Sequence, residues 1–294
     1  IFNEKLVSLD EDGFLVWNEE RKPYKGVYGD IKRLCSFKSL MGFKKENSDE
    51  LARIIMWNFP VDFFKCFDES YIFTYLWEGS IQKSYFDIHE IKYEKYMLDY
   101  DRQLIPHCKE IEYEKRRNVA DLINIYDGKF NKIGMKIGKA NPLSKSWYED
   151  KRKKNKSIFS QLKNNTENYF RTVTKTKSID NMYTVFKPYC KYVKGKGFAN
   201  GFVSCNARGT NEFKNKKSLA YLINFFMSPD IKQFVEHYHI EFDDNLFSLS
   251  ALLQWIWRSQ IRDGNPIDLY IPSERMRELL KIWINECKTM SEAA

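Results

Sequence analysis

The sequence contains no cysteine or histidine spacing of the kind that marks a structural zinc site. No two cysteines form a Cys-x-x-Cys pair, which also excludes the common thiol–disulfide redox motif. The six cysteines are scattered and are expected to be free thiols in a reducing compartment: they are Cys35, Cys66, Cys108, Cys190, Cys205 and Cys287.

Long apolar runs and targeting segments are absent as well. No stretch approaches the roughly 18 apolar residues that a membrane-spanning helix needs, and residues 1–10 do not resemble a signal peptide. We therefore predict a cytoplasmic protein with no membrane partner. Because the first residue is Ile1 rather than Met, we expect the chain to be a truncated or processed piece of a larger protein.

Phosphate-binding motifs are also missing. There is no G-x-x-x-x-G-K-[ST] loop. The nearest candidates, Gly134–Ala140 and Lys194–Gly197, have the wrong spacing and no Ser or Thr after the lysine. No D-E-x-[DH] box follows an apolar strand. The chain alone is therefore predicted not to hydrolyse ATP.

Positive charge is present in excess but is unevenly distributed. Residues 101–200 hold 23 Lys or Arg against 10 Asp or Glu, a net charge of +13, whereas the whole chain carries +8. Such asymmetry indicates a polyanionic partner, here DNA or RNA. Aromatic residues lie between the basic ones and could stack on bases; alternatively, the basic run is a solvated, disordered segment. The residues predicted to contact nucleic acid are Lys151, Arg152, Lys153, Lys154, Lys156, Trp147 and Tyr148, and further interleaved aromatics are Tyr113, Phe159, Tyr169 and Phe170.

The pattern of apolar residues favours an α/β fold. The apolar, aromatic run Tyr71–Trp77 is typical of a buried strand, a helix is predicted from Ser80 to His89, and a second strand near Ile91–Met97. A strand, a helix and a strand with short connections form the repeating unit of a parallel sheet. The remaining predictions are strands at Phe14–Trp17, Gly201–Ser204 and Ile267–Ile271, a strand or helix at Leu219–Phe226, and helices at Leu51–Trp57, Glu110–Arg117, Asp243–Arg262 and from Ser273 onward.

These patterns divide the chain into a core and an insertion. We predict that 61–99 and 198–284 form the parallel α/β core, flanked by helices. Residues 100–197 are predicted to be a basic insertion or small subdomain that contacts nucleic acid. Residues 1–60 would be the end of a preceding domain or a linker, and 285–294 a C-terminal tail.

Two polar constellations could carry chemistry. Gln254, Arg258 and Arg262 are spaced i, i+4 and i+8, so on one helix they lie within a stripe about 80° wide. Arginines held in a row suit phosphate oxygens, because each guanidinium offers a planar fork of donors; they could also simply pair with nearby carboxylates. The second constellation follows the strand predicted at Gly201–Ser204 and comprises Asn206, Arg208, Gly209, Thr210 and Asn211. It is either a ligand loop at a strand end or an ordinary polar turn.

Together the two constellations resemble motifs V and VI of the second RecA-like domain of superfamily 2 helicases of phage and plasmid type. The segment Leu269–Arg277 is similar to these proteins too, and residues 71–97 stand where that domain has its motif IV elements. The family's motif VI reads Q-x-x-x-R-x-x-R, whereas the second gap here is one residue longer.

The resemblance implies a RecA-like fold and the C-terminal motor half of an NTP-dependent helicase or translocase. Arg258 or Arg262 would then reach the γ-phosphate of ATP with Mg²⁺, held mainly by an N-terminal motor domain outside this chain. Gln254 would orient water or a ribose hydroxyl, and the loop around Thr210 and Asn211 would couple nucleotide state to nucleic acid. The alternative is a non-enzymatic nucleic-acid-binding or partner-binding module with a degenerate motor fold.

Other catalytic readings have less support in the sequence. His237 and His239 form an H-x-H pair without a carboxylate at ligand spacing, and Cys108 stands beside His107 rather than far from it in sequence. A metal-dependent nuclease needs clustered carboxylates. The candidates are Asp62, Asp68, Glu69 and Asp87. No metal site is therefore predicted.

Overall fold

The computed structural model describes residues 1–18, 24–44, 53–207 and 210–289. The strands in chain order are β1 (Val7–Leu9), β2 (Leu15–Trp17), β3 (Leu40–Lys44), β4 (Arg53–Trp57), β5 (Tyr96–Leu98), β6 (Leu104–Pro106), β7 (Ile123–Ile125), β8 (Asn181–Thr184), β9 (Ser218–Tyr221) and β10 (Ile267–Tyr270). The α-helices are α1 (Gly29–Ser36), α2 (Ile81–Ile88), α3 (Lys109–Ala120), α4 (Lys145–Lys154), α5 (Ser157–Asn168), α6 (Cys190–Val193), α7 (Pro229–His237), α8 (Asp244–Ile256) and α9 (Glu274–Thr289).

The chain forms two compact units. The first, called here the small unit, comprises Ile1–Thr74, Ile81–Ile91 and Ser228–Phe242. The second, called the sheet unit, comprises Tyr75–Ser80, Lys92–Met227 and Asp243–Ala294. By sequence the small unit carries 13 Lys or Arg against 18 Asp or Glu, a net charge of −5, and the sheet unit 35 against 22, a net charge of +13.

The small unit is built from two antiparallel pairs, β1 with β2 and β3 with β4. One apolar cluster centres on Val7, Leu15 and Leu40. A second joins Met41 and Phe43 to Phe234 and Val235 of α7. The helix predicted at Leu51–Trp57 is wrong over its described part, 53–57, because these residues pair with β3; residues 51–52 lie outside the described residues. Consecutive β-branched and aromatic side chains favour the extended form.

The sheet unit is organised around four parallel strands in the order β7-β10-β9-β8. Side chains alternate between its two faces, as strand geometry requires. Leu219, Tyr221 and Leu269 pack into one core with α8 and α9. Ala220 and Tyr270 pack into the other core with α4 and α5. The predicted fold class, a parallel α/β sheet flanked by helices, is confirmed.

Residues 100–197 are not an insertion outside this core. They supply β7 and β8, two of the four strands, and the helices that cover one face. The prediction relied on the low aliphatic content of this region. The core beneath these helices is instead largely aromatic, with Tyr148, Phe159, Tyr169 and Phe170 buried.

The parallel strand–helix–strand unit predicted over 71–97 is also wrong in part. Its helix is α2, as predicted. The strand Tyr71–Trp77 is not formed: Phe73 is 85% exposed, and Leu76 takes a left-handed conformation that ends extended backbone. The second strand is β5, which pairs antiparallel with β6 in a hairpin. Antiparallel neighbours need only a short turn, whereas parallel strands need a longer crossover.

Four predicted elements appear with small shifts in their bounds. They are β2, α3, β10 and α9. The ambiguous segment Leu219–Phe226 begins as strand β9, and the strand predicted at Gly201–Ser204 is reduced to a single parallel bridge between Phe202 and Tyr183. Among the described residues no helix is long and apolar enough to cross a membrane.

Candidate functional site

The carboxyl ends of the parallel strands are the first place to look for a ligand site. In open α/β sheets, ligands bind where connections from neighbouring strands leave toward opposite faces. One such point lies between β7 and β10. The chain after β7 leads to α4 and α5 on one face, and the chain after β10 leads to α9 on the other.

This crevice is filled by the protein's own chain, a 3₁₀ helix over Lys129–Gly134. The Tyr270 hydroxyl, at the end of β10, donates to the Phe130 carbonyl at 2.8 Å. Gly134 lies so close to β10 that a Cβ atom there would stand 2.1 Å from the Pro272 carbonyl oxygen. Glycine is therefore required by the close approach of two backbone segments.

The helices that start at this edge begin with carboxylates. The Asp243 side chain caps α8 by accepting the amide hydrogens of Asn245 and Leu246, each at 2.9 Å. Glu274 is the first residue of α9, and its carboxylate accepts the Lys136 amide hydrogen at 2.8 Å. A helix N-terminus usually attracts phosphate. At these two helices the protein places its own negative charge there.

Arg275 connects several segments at the same edge of the sheet. The sequence analysis included it only within the segment Leu269–Arg277 and did not predict a role for it. Its guanidinium donates to the Phe225 carbonyl at 2.7 Å and to the Asn245 side chain at 2.9 Å. It also lies over the Phe226 ring and 3.9 Å from the Asp244 carboxylate. Burial lowers the pKa of Arg275, and Asp244 opposes that shift. Its position in the first turn of α9, shortly after the alternating strand β10, is the signal that could have indicated it.

The row of Gln254, Arg258 and Arg262 does not lie on one helix. Helix α8 ends at Ile256, and a separate 3₁₀ helix runs over Gln260–Asp263. Between them Ser259 is extended (φ −85°, ψ −172°), and its hydroxyl donates to the Ile256 carbonyl at 2.7 Å. A serine that bonds to the backbone competes with the helix, which explains the break. The prediction of a single helix to Arg262 is therefore wrong.

Both arginines nevertheless contact the second constellation. Arg258 donates to the Ala207 carbonyl at 2.6 Å, and Arg262 donates to the Asn211 side chain at 2.7 Å. The structure thus brings together two segments some fifty residues apart in sequence, through bonds from the arginines to the protein's own chain.

The other residues of the two constellations make local contacts. Gln254 donates to the Ser250 hydroxyl at 3.1 Å within α8. Asn206 accepts from Ser204 at 2.5 Å, and Thr210 accepts the Glu212 amide hydrogen at 3.3 Å. Arg208 and Gly209 lie outside the described residues.

The strongest electrostatic feature is the layer of helices and loops between Lys145 and Gly197, called here the basic layer. It carries 14 Lys or Arg against 4 Asp or Glu, a net charge of +10. Twelve of the 14 are exposed. Of these 14, only Lys151 and Lys154 have a carboxylate of a described residue within 4.0 Å, and both contact Asp150. The alternative of a disordered basic segment is wrong, since α4 and α5 are regular helices packed on the sheet.

The aromatic residues predicted to stack on bases are mostly unavailable. Tyr148 is fully buried, and its hydroxyl donates to the Leu222 carbonyl at 2.7 Å. Burial raises its pKa well above the usual value. Trp147 is half-buried against the same core. The prediction that Tyr148 stacks on bases is therefore wrong, because its ring is packed in the core beneath the sheet.

No group of three or more His, Cys, Asp or Glu side chains in the described part of the chain could hold a metal ion. This covers Asp62, Asp68, Glu69 and Asp87, which a nuclease would have needed together, and the pair His237 and His239. The six cysteines are free.

Comparison with known proteins defines the class of this fold. Residues 117–284 match the YonV C-terminal Rossmann-like domain, and residues 1–57 match the YonV middle domain. Because the first match covers more than half of the chain, the chain belongs to the family of the YonV C-terminal Rossmann-like domain. A relative in that family is the SPbeta prophage-derived uncharacterized protein YonV of Bacillus subtilis strain 168, which is 37% identical over 283 residues.

The alignment with this relative covers 94% of the chain and 66% of the relative, so the chain spans just under two thirds of the relative's length. No solved structure matches the chain. The matched domain starts at residue 117 and includes the whole basic layer, in agreement with the sheet topology. These matches establish a Rossmann-like domain in a family with a prophage-derived member. They do not confirm a helicase motor.

Proposed function

We propose that this chain is a non-enzymatic nucleic-acid-binding module of a larger phage-type protein, and that the basic layer contacts the phosphate backbone of DNA or RNA. The observation that carries the proposal is the net charge of +10 on one helical layer over one face of the sheet. Affinity for nucleic acid comes largely from such neutralisation of phosphates.

The corner between α4 and α5 is the centre of the proposed contact. Lys151, Arg152, Lys153 and Lys154 form the last turn of α4, and Lys156 directly precedes α5. The first turn of α5 holds no acidic residue, and no side chain caps it. A phosphate beside it would gain from both the lysines and the helix N-terminus. By contrast, α8 and α9 begin with the carboxylates of Asp243 and Glu274, which would repel a phosphate.

Binding through this layer would depend little on base sequence. Base-specific contacts need side chains that reach base edges or stack on exposed faces. Most aromatic rings beneath the layer are buried in the core, so exposed lysines and arginines are the main groups left to make contact. Such binding fixes position along the backbone and weakens steeply with salt.

A helicase motor half is the second candidate, and one observation favours it. Arg258 contacts Ala207 and Arg262 contacts Asn211, so described parts of the two constellations that resemble helicase motifs are neighbours in space. The filled crevice and the carboxylates at the helix starts disfavour nucleotide binding at the sheet edge. In this candidate, ATP with Mg²⁺ would be held by an N-terminal motor domain outside this chain. ATP hydrolysis by a longer form of the protein, stimulated by nucleic acid, would support it.

The test of the proposal is binding of labelled single-stranded DNA, duplex DNA and RNA to the purified chain, followed by fluorescence anisotropy. A variant with Lys151→Gln, Arg152→Gln, Lys153→Gln and Lys154→Gln should bind each probe at least tenfold more weakly, a change of about 1.4 kcal/mol. The matched control neutralises four exposed basic residues outside the layer. It carries Lys5→Gln, Lys92→Gln, Arg102→Gln and Lys109→Gln. An equal loss in both variants would show that only total charge matters and would contradict the proposed surface.

A further inference from the structure

The small unit contains a cavity of about 620 Å³ with an acidic rim, called here the acidic cavity. The rim is the turn Asp10–Gly13. The Asp10 carboxylate accepts the amide hydrogens of Asp12 at 3.1 Å and Phe14 at 2.8 Å, which fixes the turn. Glu11 and Asp12 are exposed. Among the described residues that line the cavity there is no Lys or Arg, so none of them carries a permanent positive charge.

The walls of the cavity are aromatic. Phe43 stacks on His237 with ring centroids 5.3 Å apart, and Phe14 stacks on His89 at 6.1 Å. Aromatic faces attract cations, and the chain already places one against this wall. The Lys38 ammonium lies 6.0 Å from the centroid of Phe14.

The tyrosine beside the rim reports the same electrostatic environment. The Tyr238 hydroxyl donates to the Asp12 carbonyl at 3.4 Å. Its pKa is raised first by burial and then by the nearby carboxylates of Asp10 and Asp12. Burial disfavours any charged form, so only the second cause, the carboxylates of Asp10 and Asp12, would favour a positive group here.

We propose that the acidic cavity binds guanidinium or ammonium groups carried by a basic peptide of a partner protein. Its volume is in the range that takes a short peptide segment rather than a single small ion. Carboxylates at the rim would hold the cations, and the aromatic walls would contact their faces and alkyl stems. The net charge of −5 on the small unit favours the approach of a basic partner and disfavours nucleic acid. The inference does not depend on the function proposed for the basic layer.

The experiment measures binding of an acetylated, amidated, labelled peptide, Gly-Arg-Gly-Arg-Gly, to the full chain by fluorescence anisotropy. A variant with Glu11→Gln and Asp12→Asn removes two exposed charges from the rim without touching the bonds of Asp10 that fix the turn. We expect saturable binding that weakens about 2–30-fold in this variant, since exposed ion pairs contribute modestly. The matched control, Glu4→Gln with Asp68→Asn, removes two exposed charges of the small unit away from the cavity and should bind like the parent.

Further measurements distinguish a basic peptide from free small cations as the ligand. The peptide Gly-Gln-Gly-Gln-Gly should not bind. Free arginine and spermidine should compete only weakly, and competition at the affinity of the peptide would overturn the choice of a peptide ligand. Absence of binding to the parent chain, or equal binding to the rim variant and the control, would overturn the site itself. Circular dichroism of each variant shows whether it is folded, so that weaker peptide binding is not mistaken for an effect of unfolding.

Discussion

Replacement of Arg258 by alanine distinguishes two roles for Arg258 and Arg262, a structural role in the sheet unit and a catalytic role in a helicase motor. Arg258 is half-buried and donates to the Ala207 carbonyl at 2.6 Å, so it ties Ala207 to the end of α8. Arg262 is exposed, and its bond to a described residue is to the Asn211 side chain. If the arginines serve mainly as structural contacts to Ala207 and Asn211, Arg258→Ala should destabilise the sheet unit, whereas the exposed Arg262→Ala should not.

The size of the effect follows from the hydrogen bond that is lost. A bond from a charged donor contributes about 1.5–3 kcal/mol when buried. Because Arg258 is only half-buried, we expect a loss of about 1–2 kcal/mol. In a unit of this size that corresponds to a fall in Tm of roughly 2–8 °C. Arg262→Ala, a surface change, should stay within about 0.5 kcal/mol, and Arg258→Lys should lie between the two.

The assay is thermal unfolding followed by circular dichroism, with the three variants and the parent chain measured side by side. A parent-like Tm for Arg258→Ala would refute the structural role. If that variant also abolished nucleic-acid-stimulated ATP hydrolysis in a longer form of the protein, the motor hypothesis would replace the binding-module account.

Three further changes probe the core, the edge of the sheet and the small unit. Gly134→Ala would place a Cβ atom 2.1 Å from the Pro272 carbonyl oxygen and should cost about 1–3 kcal/mol in a denaturant titration; an unchanged midpoint would show that the crevice is open. Tyr148→Phe removes the bond to the Leu222 carbonyl and should cost about 1 kcal/mol without any change in oligonucleotide affinity, whereas weaker binding would restore the ring to the interface. Burial lowers the pKa of His89, so the unfolded chain binds more protons and stability should fall as the pH drops below about 6.5. Denaturant titrations at several pH values should show this slope flattened in His89→Gln, and equal slopes would contradict the lowered pKa of His89.

Several elements could be predicted from the sequence because their formation depends on residues that are close together in it. The alternation of Ile267–Tyr270 and the Asp243 cap of α8 are both present in the structure. The end of α8 was missed because Ser259 competes for the backbone, a signal weaker than the apolar periodicity that surrounds it. Tyr71–Trp77 has the composition of a strand, but within the described chain no neighbouring strand pairs with it.

The sequence predicts the positive charge of the basic layer but not the positions of its side chains. The excess of lysine and arginine in 101–200 follows from counting, and the structure places most of it on one layer. Whether an interleaved ring such as Tyr148 faces a ligand or a core depends on tertiary packing, which the spacing of residues cannot show. The same holds for the contact of Arg258 with Ala207, since it joins segments that are distant in sequence.

The salt dependence of nucleic-acid binding reports how many phosphates the basic layer contacts. The logarithm of the duplex affinity should fall linearly with the logarithm of salt between about 50 and 200 mM, with a slope of about −0.9 for each phosphate contacted. Neutralising Lys151, Arg152, Lys153 and Lys154 should reduce the magnitude of that slope by about 2–4, the lower values arising if Lys151 and Lys154 stay with Asp150. The control variant with four neutralised residues outside the layer should keep the parent slope. A slope unchanged in the layer variant would contradict the account, because the basic layer would then carry no phosphate contacts.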